Sequence, residues 1–373
     1  MLSVKRTTMP GLLPAQHSDP RHQITFKWPQ VDSFVKRTIS PTSPFIKQMS
    51  ITVLAHDEKS RTVVATDSIG SKLYGAAAMT VINDSNGYLC FCECDQEMTD
   101  CNVVITVDNN DENCLQIRSK AIAKVTHFQG DFMKLHFKKE ERCLEAHMFD
   151  VLIRKAFGLF DFDHLRNVTY DIPGDSRRIP LFRDQLGFIL TDSRQFILLD
   201  INIKALDELF SQSYQFRNGE SNQHIRVFDL NDPVATALGE FDQEVVGENR
   251  FDQLNAVYGK FDSQCIIALQ QEGDAQLVNG YALFTNNKIM CLYAKSQSIM
   301  TTLLSGVVSR MDKEIKSVTL FSTFNGGIHA WLRDVVSLEF SEGTVYRRLH
   351  TRCIPSKIRW DYVYAANIGW QIA

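Results

Sequence analysis

Apolar side chains recur at helical spacing directly after two short strand-like stretches. Residues 279–284 and 291–296 are mainly apolar and flank the polar turn at residues 285–288, a pattern typical of two antiparallel strands. The residues that follow place apolar side chains three and four positions apart, at Ile299, Met300, Leu303, Leu304, Val307, Val308 and Met311. This spacing predicts an amphipathic helix immediately after the hairpin, with Ser296 or Ser298 as its N-cap.

The start of this predicted helix has the chemistry of an anion site. Its first turn contains no acid, and its first backbone N–H groups have no partner within the helix. Four neighbouring side chains can face a phosphate: Lys295, Ser296, Gln297 and Ser298. The alternative is a plain N-cap beside a solvated lysine, because the segment contains no glycine. We expect a bound anion, if there is one, at this helix.

The remaining pattern repeats one order of elements in each half of the chain. In the first half we predict strands at residues 62–66, 73–82, 88–95, 131–138, 167–172 and 196–201, and helices at 140–157 and 177–186. In the second half we predict strands at 224–229, 264–269, 277–284, directly after the turn at 285–288, and at 317–322, 345–352 and 363–366, with helical regions before residue 258, after 296 and at 327–336. The shared order predicts two tandem copies of one α+β fold, with a mixed, mostly antiparallel sheet and helices on both faces.

These elements predict the domain boundaries. We expect a flexible N-terminus at residues 1–20, a first lobe at 21–203 with an insertion at about 96–129, a linker region at 204–222 and a second lobe at 223–373. A chain of 373 residues is long enough for each lobe to bury its own core.

Composition narrows the function classes. Hydrophobic residues make up 44% and charged residues 23%, as in ordinary globular proteins. The formal net charge of -4, without a basic stripe, argues against a nucleic-acid partner. No apolar run approaches the ~20 residues of a membrane span. The odd number of nine cysteines and the lack of a secretory segment predict a cytoplasmic location, with the nucleus as the alternative.

Three cysteines alternate along one predicted strand, at Cys90, Cys92 and Cys94. Alternation places all three on the same side of the sheet. Zinc sites prefer at least two residues between paired cysteines, so that a turn can gather the sulfurs. We therefore interpret these cysteines as small buried hydrophobic residues, and we expect no metal site.

Several short motifs follow one another in a recognisable order. The first half contains DIPGDS at residues 171–176 and FRDQLGF at 182–188, and the second contains FDQEVVGENR at 241–250, NGYALF at 279–284, CLYAKS at 291–296 and YRRL at 346–349. Together they resemble the general-control-nonrepressible-related N-acetyltransferase (GNAT) superfamily, and within it the two-lobed YitH-like group. The resemblance implies an enzyme that transfers an acyl group from acetyl-CoA to a small-molecule or protein amine.

The resemblance also implies where the donor binds. In GNAT proteins a splayed pair of strands admits the pantetheine arm, and a glycine-containing loop at a helix N-terminus contacts the pyrophosphate. The matching segment here is residues 142–147, where only the leading Arg142 is retained and Glu145 occupies one of the two glycine positions. A carboxylate ~5 Å from a phosphate costs about 3 kcal/mol at an effective dielectric of ~20. An acid-capped structural helix is the alternative.

The catalytic groups implied by the resemblance are also altered. The tyrosine that protonates the leaving thiolate is replaced by Arg183. His136 and Glu93 are the candidate bases, each on a predicted strand, and each has a structural role as its alternative. Two functions from different classes remain: an N-acetyltransferase that uses acetyl-CoA, and a GNAT-derived module that binds a ligand or protein without catalysis.

Overall fold

The fold is a long mixed sheet with helices packed on it. A computed structural model describes residues 23–27, 60–67, 73–95, 98, 102–107, 115–118, 141–157, 166–212, 223–228, 234–251, 254–255, 258, 263–272, 275–285, 287–335 and 339–366. The helices within these ranges are α1 (Leu144–Phe157), α2 (Ile179–Gln185), α3 (Ile203–Gln212), α4 (Ala235–Val246), α5 (Gln297–Val308) and α6 (Gly327–Asp334). No helix in the described ranges is long and apolar enough to span a membrane.

Sixteen strands join into one sheet in the described part of the chain. They are β1 (Gln23–Lys27), β2 (Ser60–Asp67), β3 (Leu73–Val81), β4 (Asn86–Cys94), β5 (Asn102–Val107), β6 (Leu115–Arg118), β7 (Glu141–Cys143), β8 (Asn167–Pro173), β9 (Leu190–Asn202), β10 (Gln223–Val227), β11 (Gln264–Glu272), β12 (Ala275–Thr285), β13 (Lys288–Ala294), β14 (Ser317–Thr323), β15 (Phe340–His350) and β16 (Val363–Ala365). Their order is β10-β11-β12-β13-β14-β9-β15-β8-β4-β3-β2-β1-β6-β5-β7, and β16 pairs with β13.

The centre of the sheet joins the two halves of the chain by exchanging strands. Strand β9, from the first half, pairs with β14 and β15 of the second half, while β15 pairs with β8 of the first half. Each half therefore contributes one strand that lies inside the other half's sheet. Among the described strands, only β4–β8 and β13–β14 pair in parallel, one pair on each side of this centre.

Three apolar clusters cover the sheet. In the second half, α4 packs on one face through Leu238 and Phe241, and α3, α5 and α6 pack on the other. In the first half, α1 and α2 pack on one face through residues such as Leu152 and Phe182. The predicted α+β class, with a mixed, mostly antiparallel sheet and helices on both faces, is thus confirmed.

The strand–strand–helix unit of the second half forms as its pattern predicts. Strands β12 and β13 pair in antiparallel fashion, and α5 follows at Gln297. Ser296 is the N-cap: its side-chain oxygen accepts from the backbone N–H of Ile299 at 3.3 Å. The apolar stripe of α5 is buried, with Met300, Leu303 and Leu304 each 0% exposed. The helix is therefore stabilised mainly by burial of this stripe.

One local prediction was wrong: residues 141–143 form strand β7 and not the first turn of a helix, because they pair with β5. Residues 204–212, the beginning of the predicted linker region, form α3, whose Leu206 and Phe210 are buried in a core with α5. The domain boundaries stay a prediction. Residues 131–138, predicted as a strand, lie outside the described residues.

Candidate functional site

A cleft opens in the first half where β4 and β8 separate. The two strands pair in parallel only from Asn86 to Tyr88, opposite Asn167 to Thr169. At this point the pairing of β4 with its other neighbour, β3, shifts by one residue. Ala78 pairs with Phe91 and Met79 with Leu89, so Cys90 is an extra residue, a β-bulge. Bulges bend a strand, and β4 beyond Cys90 does not pair with β8. We call the space between these diverging strands the first cleft.

An arginine crosses the first cleft. Arg178, in the turn between β8 and α2, donates from Nη2 to the backbone carbonyl of Cys92 at 3.3 Å. The same Nη2 donates to Oε1 of Glu145 at 2.6 Å. The guanidinium also lies 5.4 Å from the ring centroid of Phe182. Arg178 thus occupies the backbone edge of β4 that β8 leaves unpaired.

The acid in this pair is Glu145, in the first turn of α1. Its side chain is 2% exposed, whereas that of Arg178 is 32% exposed. A carboxylate in a first turn is favoured by the helix dipole, and the ion pair compensates for its burial. Among the described residues, neither the second oxygen of Glu145, Oε2, nor Nε of Arg178 has a hydrogen-bond partner.

The second half contains the matching cleft. Strands β13 and β14 pair in parallel only at Lys288 and Thr319. Leu283 pairs with Cys291 and Phe284 with Ile289, so Met290 is the bulged residue of β13, as Cys90 is of β4. Beyond this bulge β13 and β14 separate. We call the space between them the second cleft.

Backbone fills the second cleft. Strand β16 pairs with β13 at Leu292 and Tyr293, and the backbone N–H of Ala366 donates to the carbonyl of Phe321 in β14 at 2.7 Å. Val363, Ala365 and Ala366 are at most 2% exposed. The hydroxyl of Ser322 donates to the carbonyl of Tyr364 at 2.9 Å. The chain's own segment is thus bonded to both walls.

The second-half motifs converge on one buried polar network. Arg250 donates to both carboxylate oxygens of Asp242, at 2.8 and 2.9 Å, and to the hydroxyl of Tyr293 at 3.1 Å. The hydroxyl of Tyr281 donates to Asp242 at 2.5 Å. Burial, followed by the charge of Asp242, raises the pKa of Tyr281 well above its ordinary value. All four groups are buried, so the network joins α4 to the sheet and presents no group to solvent.

A second buried network lies at the exchanged strands. Arg348 of β15 donates to both oxygens of Asp171 in β8, at 2.8 and 2.9 Å, and Tyr88 of β4 donates to the same carboxylate at 3.1 Å. Next to it, Nδ1 of His350 lies 2.9 Å from the hydroxyl of Thr169. Burial, and then the charge of Arg348, lowers the pKa of His350 to about 4, so this imidazole is neutral at pH 7.

The predicted anion-binding residues lie together at the start of α5. Lys295 is directed to Glu244 of α4, with 3.5 Å between Nζ and Oε2, and lies 5.7 Å from the ring centroid of Phe241. Ser296 is used as the N-cap, and the carbonyl of Ser298 accepts from the hydroxyls of Thr301 and Thr302. Gln297 is exposed. Anion binding here stays a prediction, and Lys295 already has an acidic neighbour.

The residues predicted for the first half are dispersed. Arg142 lies in β7 and forms an ion pair with Asp150 of α1. Residues 142–147 span the end of β7 and the first turn of α1, and cofactor binding by Arg142 stays a prediction. Glu93 is half-buried on β4, one residue after the carbonyl that Arg178 contacts. His136 lies outside the described residues.

The prediction that Cys90, Cys92 and Cys94 lie on the same side of the sheet was wrong. Cys90 lies 3.5 Å from the hydroxyl of Thr80, whereas the thiol of Cys92 lies 3.6 Å from the carbonyl of Glu145 on the α1 face. The bulge at Cys90 reverses the alternation that a regular strand has. Cys90 and Cys92 are buried. No cluster of histidine, cysteine and acidic side chains within the described ranges has the arrangement of a metal site.

Sequence reasoning missed Arg178 and the position of β16, which occupy the clefts in the described part of the chain. Arg178 lies two residues after the DIPGDS motif. It could have been found by asking which cation would pair with Glu145 if this acid were buried. The 363–366 strand was predicted, but nothing in a short apolar run says which neighbours it pairs with. Both depend on contacts distant in sequence.

Comparison with solved structures identifies the fold. A putative acetyltransferase from Pyrococcus horikoshii aligns with a TM-score of 0.54 and 12% identity, over 92% of this chain and 93% of that one. A GCN5-related N-acetyltransferase from Sphaerobacter thermophilus aligns with a TM-score of 0.50 and 13% identity, over 90% of this chain and 98% of that one. The tandem GNAT-like fold that the resemblance implied is therefore confirmed. Identities this low show the fold alone.

The sequence comparisons are less informative. A family model described as a domain of unknown function (DUF7596) matches residues 46–190, which include the first cleft up to Arg178. A search of curated protein sequences gave no significant match.

Proposed function

We propose that this chain is a GNAT-derived binding module that does not transfer acyl groups. The observation that carries this proposal is that the chain's own groups occupy both clefts. β16 pairs with the backbone of β13 in the second cleft, and Arg178 and Glu145 meet beside β4 in the first. These are the places where the fold would admit a pantetheine arm.

The residues do not fit acetyl-CoA. Strand β7 lies directly before α1, where the family has its glycine-containing loop, and a buried carboxylate occupies the first turn of that helix. A phosphate ~5 Å from this carboxylate loses about 3 kcal/mol at an effective dielectric of ~20. In the second half, α5 begins without glycine, and its adjacent Lys295 is near Glu244. Arg183, in the place of the expected general acid, is exposed and paired with Asp184.

A second candidate is acyl transfer from acetyl-CoA to a small-molecule or protein amine at the first cleft. Two features of the first cleft favour this candidate. The bulge at Cys90 keeps the strands apart, and the cleft is crossed by side chains, which can move more easily than a backbone strand. Arg178 would have to leave Cys92 and Glu145, and Glu93 or His136 would serve as base. Arg142 and the group from Lys295 to Ser298 would be its phosphate contacts.

Three further assignments accompany the proposal. We place the chain in the YitH-like group, with lobes at residues 21–203 and 223–373 that exchange β9 and β15. We place it in the cytoplasm, with the nucleus as the alternative. Neither nucleic acid nor a membrane is proposed as a partner, and no metal is required.

Thermal unfolding with and without acetyl-CoA tests the proposal. A ligand at one hundred times its Kd stabilises the folded state by about 2.7 kcal/mol. We expect no shift in Tm at millimolar acetyl-CoA. Within the described residues, neither cleft combines a free backbone edge with a phosphate loop. A saturable increase in Tm, accompanied by release of free thiol with a mixture of amine acceptors, would replace the proposal with the second candidate.

A further inference from the structure

A lysine of the second half lies in a row of polar side chains that crosses the sheet. Lys288, at the start of β13, pairs with Thr285 of β12 on one side and with Thr319 of β14 on the other. Thr319 in turn pairs with Asp200 of β9. Residues directly opposite each other on neighbouring strands point to the same face of a sheet, so these side chains share one face. Lys288 therefore has threonines on both adjacent strands, and the nearest carboxylate of the row is one strand further away.

This carboxylate already has a partner. The hydroxyl of Thr319 donates to Oδ1 of Asp200. Neighbouring strands lie about 4.8 Å apart, so the backbone of Asp200, two strands away, is roughly 10 Å from that of Lys288. Within the described part of the chain, the ammonium group of Lys288 has neither a hydrogen bond nor an ion pair. The row thus leaves this cation without a counter-charge.

Lys288 is also half-buried, next to the exposed Asn287 of the hairpin turn. Burial lowers the pKa of Lys288 below its ordinary value. A lysine that is partly desolvated and lacks a counter-charge has a larger fraction of neutral amine at pH 7, and the neutral amine is the nucleophile. We propose that Lys288 is a site of covalent acylation that takes its acyl group from a small acyl phosphate.

The reaction needs no group beyond the amine and the donor. The lone pair of Nζ forms a bond to the acyl carbon of the donor, the bond from this carbon to the phosphate oxygen breaks, inorganic phosphate leaves, and the nitrogen gives a proton to water. The product is a neutral amide. Because burial disfavours the cation that is removed, we expect the acylated chain to keep its fold. Neither cleft takes part, so the inference is independent of the proposed function.

Acetyl phosphate added to the 373-residue chain tests the inference, with the occupancy of each lysine followed over time at pH 7 by peptide mass spectrometry. We expect Lys288 to be acetylated several-fold faster than Lys204 and Lys295. These are the matched controls, because both are exposed and their ion pairs with Glu208 and Glu244 favour the charged form. In urea the three rates should become similar, since unfolding removes both burial and the ion pairs.

Two results would refute the inference. Acetylation of Lys288 that is no faster than that of Lys204 and Lys295 in the folded chain would show that its amine is not activated. An excess at Lys288 that persists unchanged in urea would show that the local sequence, and not the fold, is responsible.

The variant Lys288→Arg gives a second, independent readout. Arginine keeps the positive charge but does not deprotonate at pH 7, so it does not accept the acyl group. Intact-mass measurement early in the reaction should show a singly acetylated species in the wild type that is largely missing in the variant. An equal amount of this species in both proteins would also refute the inference.

Discussion

The two clefts have the same origin and different occupants. Each begins where a short parallel pairing ends, and each borders a bulged residue, Cys90 in the first half and Met290 in the second. Within the described residues, the second is filled by backbone that bonds to both walls, and the first is crossed by the ion pair of Arg178 and Glu145. The space between the diverging strands is thus filled in two ways that differ in reversibility: a strand must unpair, whereas an arginine only rotates.

The buried acid–arginine pairs give the largest expected difference between the halves. Arg250 and Asp242 are each 1% exposed, so Arg250→Ala leaves a fully buried carboxylate and should cost about 3–5 kcal/mol. Arg178 is 32% exposed, so in Arg178→Ala water can enter the space that the guanidinium leaves beside Glu145, and the substitution should cost about 1–3 kcal/mol. Urea unfolding of both variants measures this difference.

Arg183→Ala is the matched control for these two arginine variants. Its guanidinium is exposed, and its partner Asp184 is adjacent in sequence, so we expect a change within about 0.5 kcal/mol. If Arg178→Ala is as mild as this control, Arg178 does not compensate the burial of Glu145, and the description of the first cleft is wrong.

Shortening a side chain of β16 should destabilise the protein less than Arg250→Ala. Val363 is 2% exposed, and Val363→Ala removes apolar contacts in the core beside Tyr293, at an expected cost of about 1–3 kcal/mol. The variant should still show no response to acetyl-CoA, because the backbone of β16 keeps the second cleft filled. Thermal unfolding with and without acetyl-CoA checks both statements, and a Tm that rises with acetyl-CoA only in this variant would show that β16 is easily displaced.

His350 makes the exchanged strands sensitive to acid. Its pKa is lowered to about 4 in the folded protein, by burial and then by Arg348, against ~6.5 in an unfolded chain. The folded state therefore disfavours the proton. This contribution to stability is complete above pH 6.5 and is lost as pH falls to 4, a total of about 3 kcal/mol.

His350→Gln isolates this effect, since glutamine keeps a polar partner for Thr169 but does not titrate. The difference in unfolding free energy between wild type and variant should shift between pH 7 and pH 4 by about the same 3 kcal/mol. A difference that stays constant over that range would mean that His350 is protonated as easily in the folded protein as in the unfolded one.

The smallest expected effect is at the start of α5. Lys295 is 35% exposed and its partner Glu244 is 42% exposed, so Lys295→Ala should change stability by less than about 1 kcal/mol. If this helix binds an anion through Lys295, added phosphate will stabilise the wild type and not the variant. Equal Tm shifts in phosphate for both proteins would remove Lys295 from the anion-binding residues.

Local periodicity was enough to predict most elements and the tandem fold. The stripe from Ile299 to Met311 and the N-cap at Ser296 could be predicted because a helix interacts mainly with residues three and four positions away. The exchange of β9 and β15 could not, since strand order depends on partners far apart in the sequence. The bulge at Cys90 also depends on pairing with a neighbouring strand. Because of this bulge, Cys90 and Cys92 lie on opposite sides of the sheet, contrary to the prediction. The segment matched to a phosphate loop begins within strand β7, because residues 141–143 pair with β5, and this pairing too could not be predicted from the local sequence.

Calorimetric titration of the 373-residue chain with acetyl-CoA tests whether the chain's own groups close both clefts to an acyl-CoA arm. We expect no saturable heat at any accessible concentration, in the wild type and in Arg183→Ala alike. A saturable isotherm that is lost when coenzyme A without the acetyl group is already bound would contradict it, because the same cleft would then be open to the pantetheine arm.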